Sequence, residues 1–412
     1  MPHNTHRLVD QLLLEQGEYL PLEFLLHEGR LSYADYEAWR GGELDFLDEA
    51  LFGDPGHIQQ QLSDAEDYLR RRGWQAEIIR YEPWRHTSHR GNDVQAAHQP
   101  GSGPLCFSAN SAFDRSFHRR YRKPRDQPQL DLFTDAPAAN LVNGITQALS
   151  GRNPPEARRQ LERLYDSAPD HVRIGELERL VEAAEGLQTA VVDAAADMRM
   201  LQQIVTPLAD NLLGKDSRNL LIPLWRRLSC ALQDRPYLAA QPELHLSYTA
   251  SQAMDWDSAR QAAEQEPHWR ADPVLLLRHA FACDQLRRQT AALQSWFELC
   301  WRFPEQSHAI ESSANHELRH QWLAYLELDP ELPAQCFPAW MLLSKPGLTN
   351  TLPEPASDRS ACPGSYHTLY DLQHRRLHCL TEHDTGNTMA LRARLKQQDP
   401  VLYQHYLAAL AP

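Results

Sequence analysis

Apolar positions in the first 85 residues recur at helical spacing in short bursts. The pattern predicts helices near Leu8–Gln16, Pro21–His27, Tyr33–Trp39 and Phe46–Phe52, with a longer one over Ile58–Arg71. Gly29, the Gly41-Gly42 pair and Gly53-Asp54-Pro55-Gly56 supply the stops between them. After Gly73 the period shortens, and residues 74–82 read as a strand within an N-terminal helical domain spanning 1–84. Residues 85–121 read as a polar loop, a short partner strand at Leu105–Ser108 and a basic helix over Ala112–Tyr121. A Pro-rich linker covers 122–140, and helix follows helix over 141–412. The chain is therefore expected to be mainly α, with a minor β element near its start.

Within 141–412 one spacing returns. Ala157, Leu161 and Leu164 lie on one helix face ahead of Pro169; Ala292, Trp296 and Leu299 repeat the spacing ahead of Pro304. Leu318, Trp322 and Tyr325 precede Pro330 in the same way, and Ala259 and Ala262 precede Pro267 in part. This resembles the second helix of tetratricopeptide repeats, where a small residue admits the first helix and proline sets up the next repeat. The resemblance implies an α-α array that binds partner proteins. The prolines do not keep a 34-residue period, and the Trp and Leu-Gly marks of the first repeat helix are missing, so an irregular helical bundle is the alternative.

Charge and cysteine use narrow the class. At 412 residues with a net charge of −14, the surface as a whole repels nucleic acid and anionic membranes. No apolar run is long enough for a membrane span, and the N-terminus meets Asp10 and Glu15 before any apolar core builds up, unlike a signal peptide. The seven cysteines are widely spaced with no CxxC pair, which suits reduced thiols in a cytoplasmic protein.

Against that background two neighbouring segments stand out. Gln129-Leu130-Asp131-Leu132-Phe133, between Pro128 and Pro137, resembles the Gln-Leu-(Ser or Asp)-Leu-Phe pentapeptide by which bacterial replication and repair proteins bind the sliding clamp. All five positions match, which chance gives in roughly one chain in a thousand of this length. The resemblance implies that Leu132 and Phe133 enter an apolar pocket while the Gln129 amide bonds at its rim. The alternative is an intramolecular strap in which Leu130, Leu132 and Phe133 pack inside the protein. Just upstream, Arg115, Arg119, Arg120, Arg122, Lys123 and Arg125 form a local basic cluster interleaved with Phe117 and Tyr121. It suits a weak local contact to DNA phosphates, or else a solvated face paired with acidic neighbours.

Candidate chemistry is sparse. His316-Glu317-Leu318-Arg319-His320 spells the HExxH of zinc peptidases, with His316 and His320 as ligands and Glu317 activating water. Arg319 departs from that family's uncharged middle, no third-ligand segment follows, and Leu318 is required by the repeat spacing, so this helix is read as structural. Cys362, His367, His374, His378, Cys379 and His383 crowd the C-terminal region without a recognisable zinc spacing. The reading is a non-enzymatic adaptor without cofactor. Its partners are proteins, among them the bacterial sliding clamp.

Overall fold

The computed structural model describes residues 2–84, 104–123, 137–354, 363–378 and 385–410. The chain is mainly helical with one small sheet, and it divides into two compact units, Met1–Ala231 with Gln252–Met254, and Leu232–Ser251 with Asp255–Pro412.

In the first unit the elements run α1 (Pro2–Gln16), β1 (Glu18–Tyr19), α2 (Pro21–His27), α3 (Tyr33–Arg40), α4 (Pro55–Arg71), β2 (Gln75–Ile78), α5 (Ser111–Phe117) and β3 (Arg119–Arg122). Local chemistry sets the starts. Ser32 caps α3 by accepting from the Asp35 amide at 3.1 Å, and Asp54 caps α4 by accepting from the His57 amide at 2.7 Å, with Pro55 as its first residue. Tyr33, Tyr36 and Trp39 of α3, and Ile58, Leu62, Ala65 and Leu69 of α4, turn one face each into a core shared with Phe24, Phe107 and Phe117. The sheet is antiparallel in the order β1-β3-β2, with Tyr121 facing both Tyr19 and Ala76, and Arg122 facing Glu18 and Gln75.

Three expectations change here. The basic helix expected over Ala112–Tyr121 ends at Phe117, and Arg119–Arg122 forms the central strand instead. The strand expected over 74–82 is confined to Gln75–Ile78, and its partner is β3, while 105–108 is irregular. Trp39 explains the last point, because its indole N–H donates to the Cys106 carbonyl at 2.8 Å and so draws that backbone away from any ladder. The segment Phe46–Phe52 makes only a short 3₁₀ turn at Leu47–Ala50.

The same unit continues through α6 (Pro137–Ser150), α7 (Pro154–Ser167), α8 (Ile174–Glu185), α9 (Ala194–Met200), a π turn at Leu201–Val205, α10 (Thr206–Leu213) and α11 (Ser217–Ala231). Ala157, Leu161 and Leu164 are buried on α7, which packs on α6. Pro207 accounts for the π turn: it has no N–H for the carbonyl of Gln203, and its ring crowds that carbonyl, so the coil widens one turn ahead of it. The compact units therefore divide at 231/232 and not at the 122–140 linker. Polar and ionic contacts join 1–122 to 137–231. The Tyr33 hydroxyl donates to Asn219 at 2.7 Å in buried surroundings, and Glu37 takes Arg152 at 2.5 Å and Arg226 at 2.7 Å. Arg152 stands at φ 53, a left-handed position that follows the end of α6 and more often holds glycine. Its side chain supplies the compensation, bonding Glu37 and the Asn219 carbonyl and lying over the Trp84 ring at 4.0 Å.

The second unit holds α12 (Leu246–Gln252) in part, then α13 (Trp256–Gln265), α14 (Pro273–Gln285), α15 (Gln289–Arg302), α16 (His316–Leu326), α17 (Phe337–Ser344), α18 (Gly364–His378), α19 (Thr385–Gln398) and α20 (Pro400–Ala408). From α13 to α15 and from α16 to α20, consecutive helices pack on one another. The recurring triplets all point inward: Ala292, Trp296 and Leu299, and Leu318, Trp322 and Tyr325, are buried in one core. Among the described residues, no helix is long and apolar enough to cross a membrane.

Candidate functional site

Glu18 of β1 is the centre of a charged cleft in the first unit. Gly17, at φ +70, turns the chain out of α1 so that Glu18 and Tyr19 pair with β3. That register sets Glu18 beside Arg122, whose Nε donates to Oε2 at 2.7 Å; Lys215, in the turn before α11, holds the other oxygen. Burial works against the Glu18 charge, but the hydrogen bonds and charges of Lys215 and Arg122 outweigh it and hold this carboxyl below the usual range. Of the other charges lining the cleft, Glu23 of α2 pairs with Arg218, and Arg120 pairs with Glu77 of β2. Arg40 of α3 donates through Nε to the Glu82 carbonyl at 3.0 Å and through a terminal nitrogen to the Tyr36 hydroxyl at 2.7 Å. The cleft lined by Glu18, Glu23, Arg40, Arg120, Arg122 and Lys215, with Leu20, Leu22, Tyr36, Ile79, Tyr81 and Asp216, has a volume of about 310 Å³.

Asp216 differs from its neighbours. Among the described residues its carboxylate has no hydrogen bond and no ion pair, and burial together with the charge of Glu23 pushes its pKa up against Lys215, Arg218 and Arg40. The Tyr81 hydroxyl is closed from water and also lacks a partner, and it feels the same groups, Tyr36, Glu23, Arg40 and Asp216.

A second concavity, of about 590 Å³, runs along α8, α9, the π turn and α11. It is largely apolar, with Val192 (97% exposed), Met200 and Ile204 open to solvent. Arg227 ties its wall together, donating to the Thr189 carbonyl at 2.7 Å and to Asp197 at 3.1 Å.

The residues singled out in the sequence fall in different places. Gln129, Leu130, Asp131, Leu132 and Phe133 lie outside the described residues, as does Arg125, but the segment that carries them leaves β3 and returns at α6, so the first unit tethers it at both ends. The basic cluster is largely spent on carboxylates: Arg119 pairs with Glu66 at 3.0 Å, Arg120 with Glu77 at 2.5 Å and Arg122 with Glu18, while Arg115 donates to the Ser111 carbonyl. In the HExxH segment, Leu318 faces the core and His316, Glu317 and His320 face solvent. Glu317 is held by Lys345 at 2.9 Å and by Gln321 at 3.0 Å, and Arg319 lies 2.5 Å from His316 Nδ1. The His374 and His378 rings lie 4.5 Å apart, tilted by 43°, with His378 bonded to Asn350; Cys362, Cys379 and His383 lie outside the described residues. Among the described residues, no group of three or more His, Cys, Asp or Glu side chains is placed to hold a metal ion.

The charged cleft was not legible in the sequence. Its residues come from segments up to two hundred positions apart, and the Glu18–Arg122 pairing depends on a two-residue strand that has no periodic signal of its own. In comparisons with known proteins, no family model, no curated protein and no solved structure matches the chain.

Proposed function

We propose that this protein is a non-enzymatic adaptor of the bacterial cytoplasm that binds the DNA sliding clamp through Gln129–Phe133 and holds a client protein on its helical surfaces. The observation that carries the reading is the complete five-position match of residues 129–133 to the clamp-binding pentapeptide. Its setting supports it, since the motif stands apart from the periodic core-forming pattern of its flanks and is tethered on both sides to one compact unit. A short peptide of this kind loses chain entropy on binding, so its affinity is modest, on the order of micromolar. The apolar groove along α8–α11 supports the client half of the reading, because its exposed Val192, Met200 and Ile204 offer area for a protein partner to cover. The contact to DNA drops out of the proposal, since Arg119, Arg120 and Arg122 already face carboxylates.

The test is a double substitution. Leu132→Ala with Phe133→Ala is expected to abolish binding to the bacterial sliding clamp while leaving the melting temperature within a few degrees of wild type. If the two residues instead form an internal strap, neither protein binds the clamp and the variant loses several kcal/mol through emptied core sites.

A further inference from the structure

Most charges in the cleft around Glu18 are already matched. Glu18 has Lys215 and Arg122, Glu23 has Arg218, and Arg120 has Glu77. Two remain open. Asp216 has no ion pair or hydrogen bond among the described residues, and Arg40 has committed only part of its five-donor guanidinium. The two feel each other electrostatically yet do not form an ion pair. Arg40 is held in place over the Trp84 ring at 4.9 Å, so its position is set before anything binds.

We propose that this cleft binds a free amino acid, with the ligand's ammonium on Asp216 and its carboxylate on Arg40. Size agrees, because about 310 Å³ lies at the lower limit for small-molecule sites and holds a free amino acid. Tyr81 lines the same cleft, among these charged groups. Leu20 and Leu22 give the ligand's side chain an apolar wall. The raised pKa of this partly buried carboxyl also means that its charge costs the empty protein stability at neutral pH. A residue kept at such a cost is expected where a ligand offsets it.

The experiment uses the full chain and its Asp216→Asn variant, with thermal melting measured in each of the twenty standard L-amino acids at about 10 mM, a concentration that saturates sites of ordinary metabolite affinity. Ethylamine and acetate serve as single-charge controls. Saturation a hundredfold above Kd raises the transition by about 5–10 °C. The expected result is such a rise with at least one amino acid and with neither control. Asp216→Asn, for its part, melts higher than wild type without ligand and no longer responds to it. The proposal is overturned if none of the twenty shifts the wild type, if either control alone gives the full shift, or if the variant responds as wild type does. It also fails if Asp216→Asn melts lower than wild type, since that would make Asp216 a structural residue.

Discussion

Replacing Glu37 by Gln tests whether residues 1–122 and 137–231 fold as one unit. Glu37 is 16% exposed and receives two guanidiniums, Arg152 (20% exposed) at 2.5 Å and Arg226 (47% exposed) through two bonds at 2.7 and 3.2 Å. The amide keeps the shape and removes the charge. Breaking a fully buried pair costs about 3–5 kcal/mol, and an exposed one about 0.2–1 kcal/mol. The Arg152 arm lies toward the first case and the Arg226 arm in the second, so Glu37→Gln is expected to cost about 2–3 kcal/mol at pH 7, and Arg226→Gln about 0.5 kcal/mol. The pH dependence follows from the same contacts. Burial alone would raise the Glu37 pKa, but the hydrogen bond from Arg226 and the charges of both arginines hold it below the usual range. A depressed carboxyl contributes stability that is fully present above its unfolded pKa of about 4.3 and is lost as pH falls through the folded value. Urea unfolding followed by tryptophan fluorescence should therefore show a gap between wild type and variant that is constant from pH 7 to pH 5.5 and narrows below about pH 4.5. A gap under about 0.5 kcal/mol at pH 7 would refute the reasoning, as would one that stays unchanged in acid.

Other predictions concern the second unit. Trp296→Phe keeps most of a fully buried ring but removes the N–H that donates to Asp284 at 2.9 Å, and is expected to cost about 2–3 kcal/mol in denaturant unfolding; a loss below about 1 kcal/mol would show that bond to be idle. His279 is buried between Glu264 at 3.0 Å and Ser295 at 2.8 Å, and burial, aided by Arg270 and Arg260, keeps its pKa below the usual value despite Glu264. Its contribution is present above about pH 6.5 and lost as pH falls toward the folded value, so the melting temperature should drop from pH 7.5 to 5.5, and His279→Gln should flatten that slope. An identical slope in the variant would count against this account. Glu317→Gln removes only a half-exposed pair with Lys345 and should change stability by no more than about 0.5 kcal/mol; one tightly bound zinc per chain in elemental analysis would instead reopen the HExxH segment as a metal site.

The helices were legible where a start signal and an apolar face coincide. Pro21–His27 appears as read, and the triplets ending at Leu164, Leu299 and Tyr325 are buried as their spacing requires. Asp54-Pro55 was read as part of a stop, although a capping Asp followed by Pro is equally a beginning, and α4 starts there. The strand Arg119–Arg122 could not be seen, because Tyr121 is its one buried residue and its arginines look like a solvated helix face until Glu18, Glu66 and Glu77 are brought opposite them. The Pro-rich composition of 122–140 suggested a boundary between domains. Composition cannot register the contacts of Tyr33 and Glu37 with α6–α11, which depend on residues more than a hundred positions away.

The central claim, attachment to the replication clamp through residues 129–133, is tested most directly by a binding isotherm of the full-length protein on immobilised bacterial sliding clamp. The account predicts saturable binding with a Kd on the order of micromolar, competed away by a free peptide of the sequence Gln-Leu-Asp-Leu-Phe and weakened by Gln129→Ala, which removes the amide at the pocket rim. No binding at tens of micromolar clamp, or binding that the free peptide leaves untouched, contradicts it.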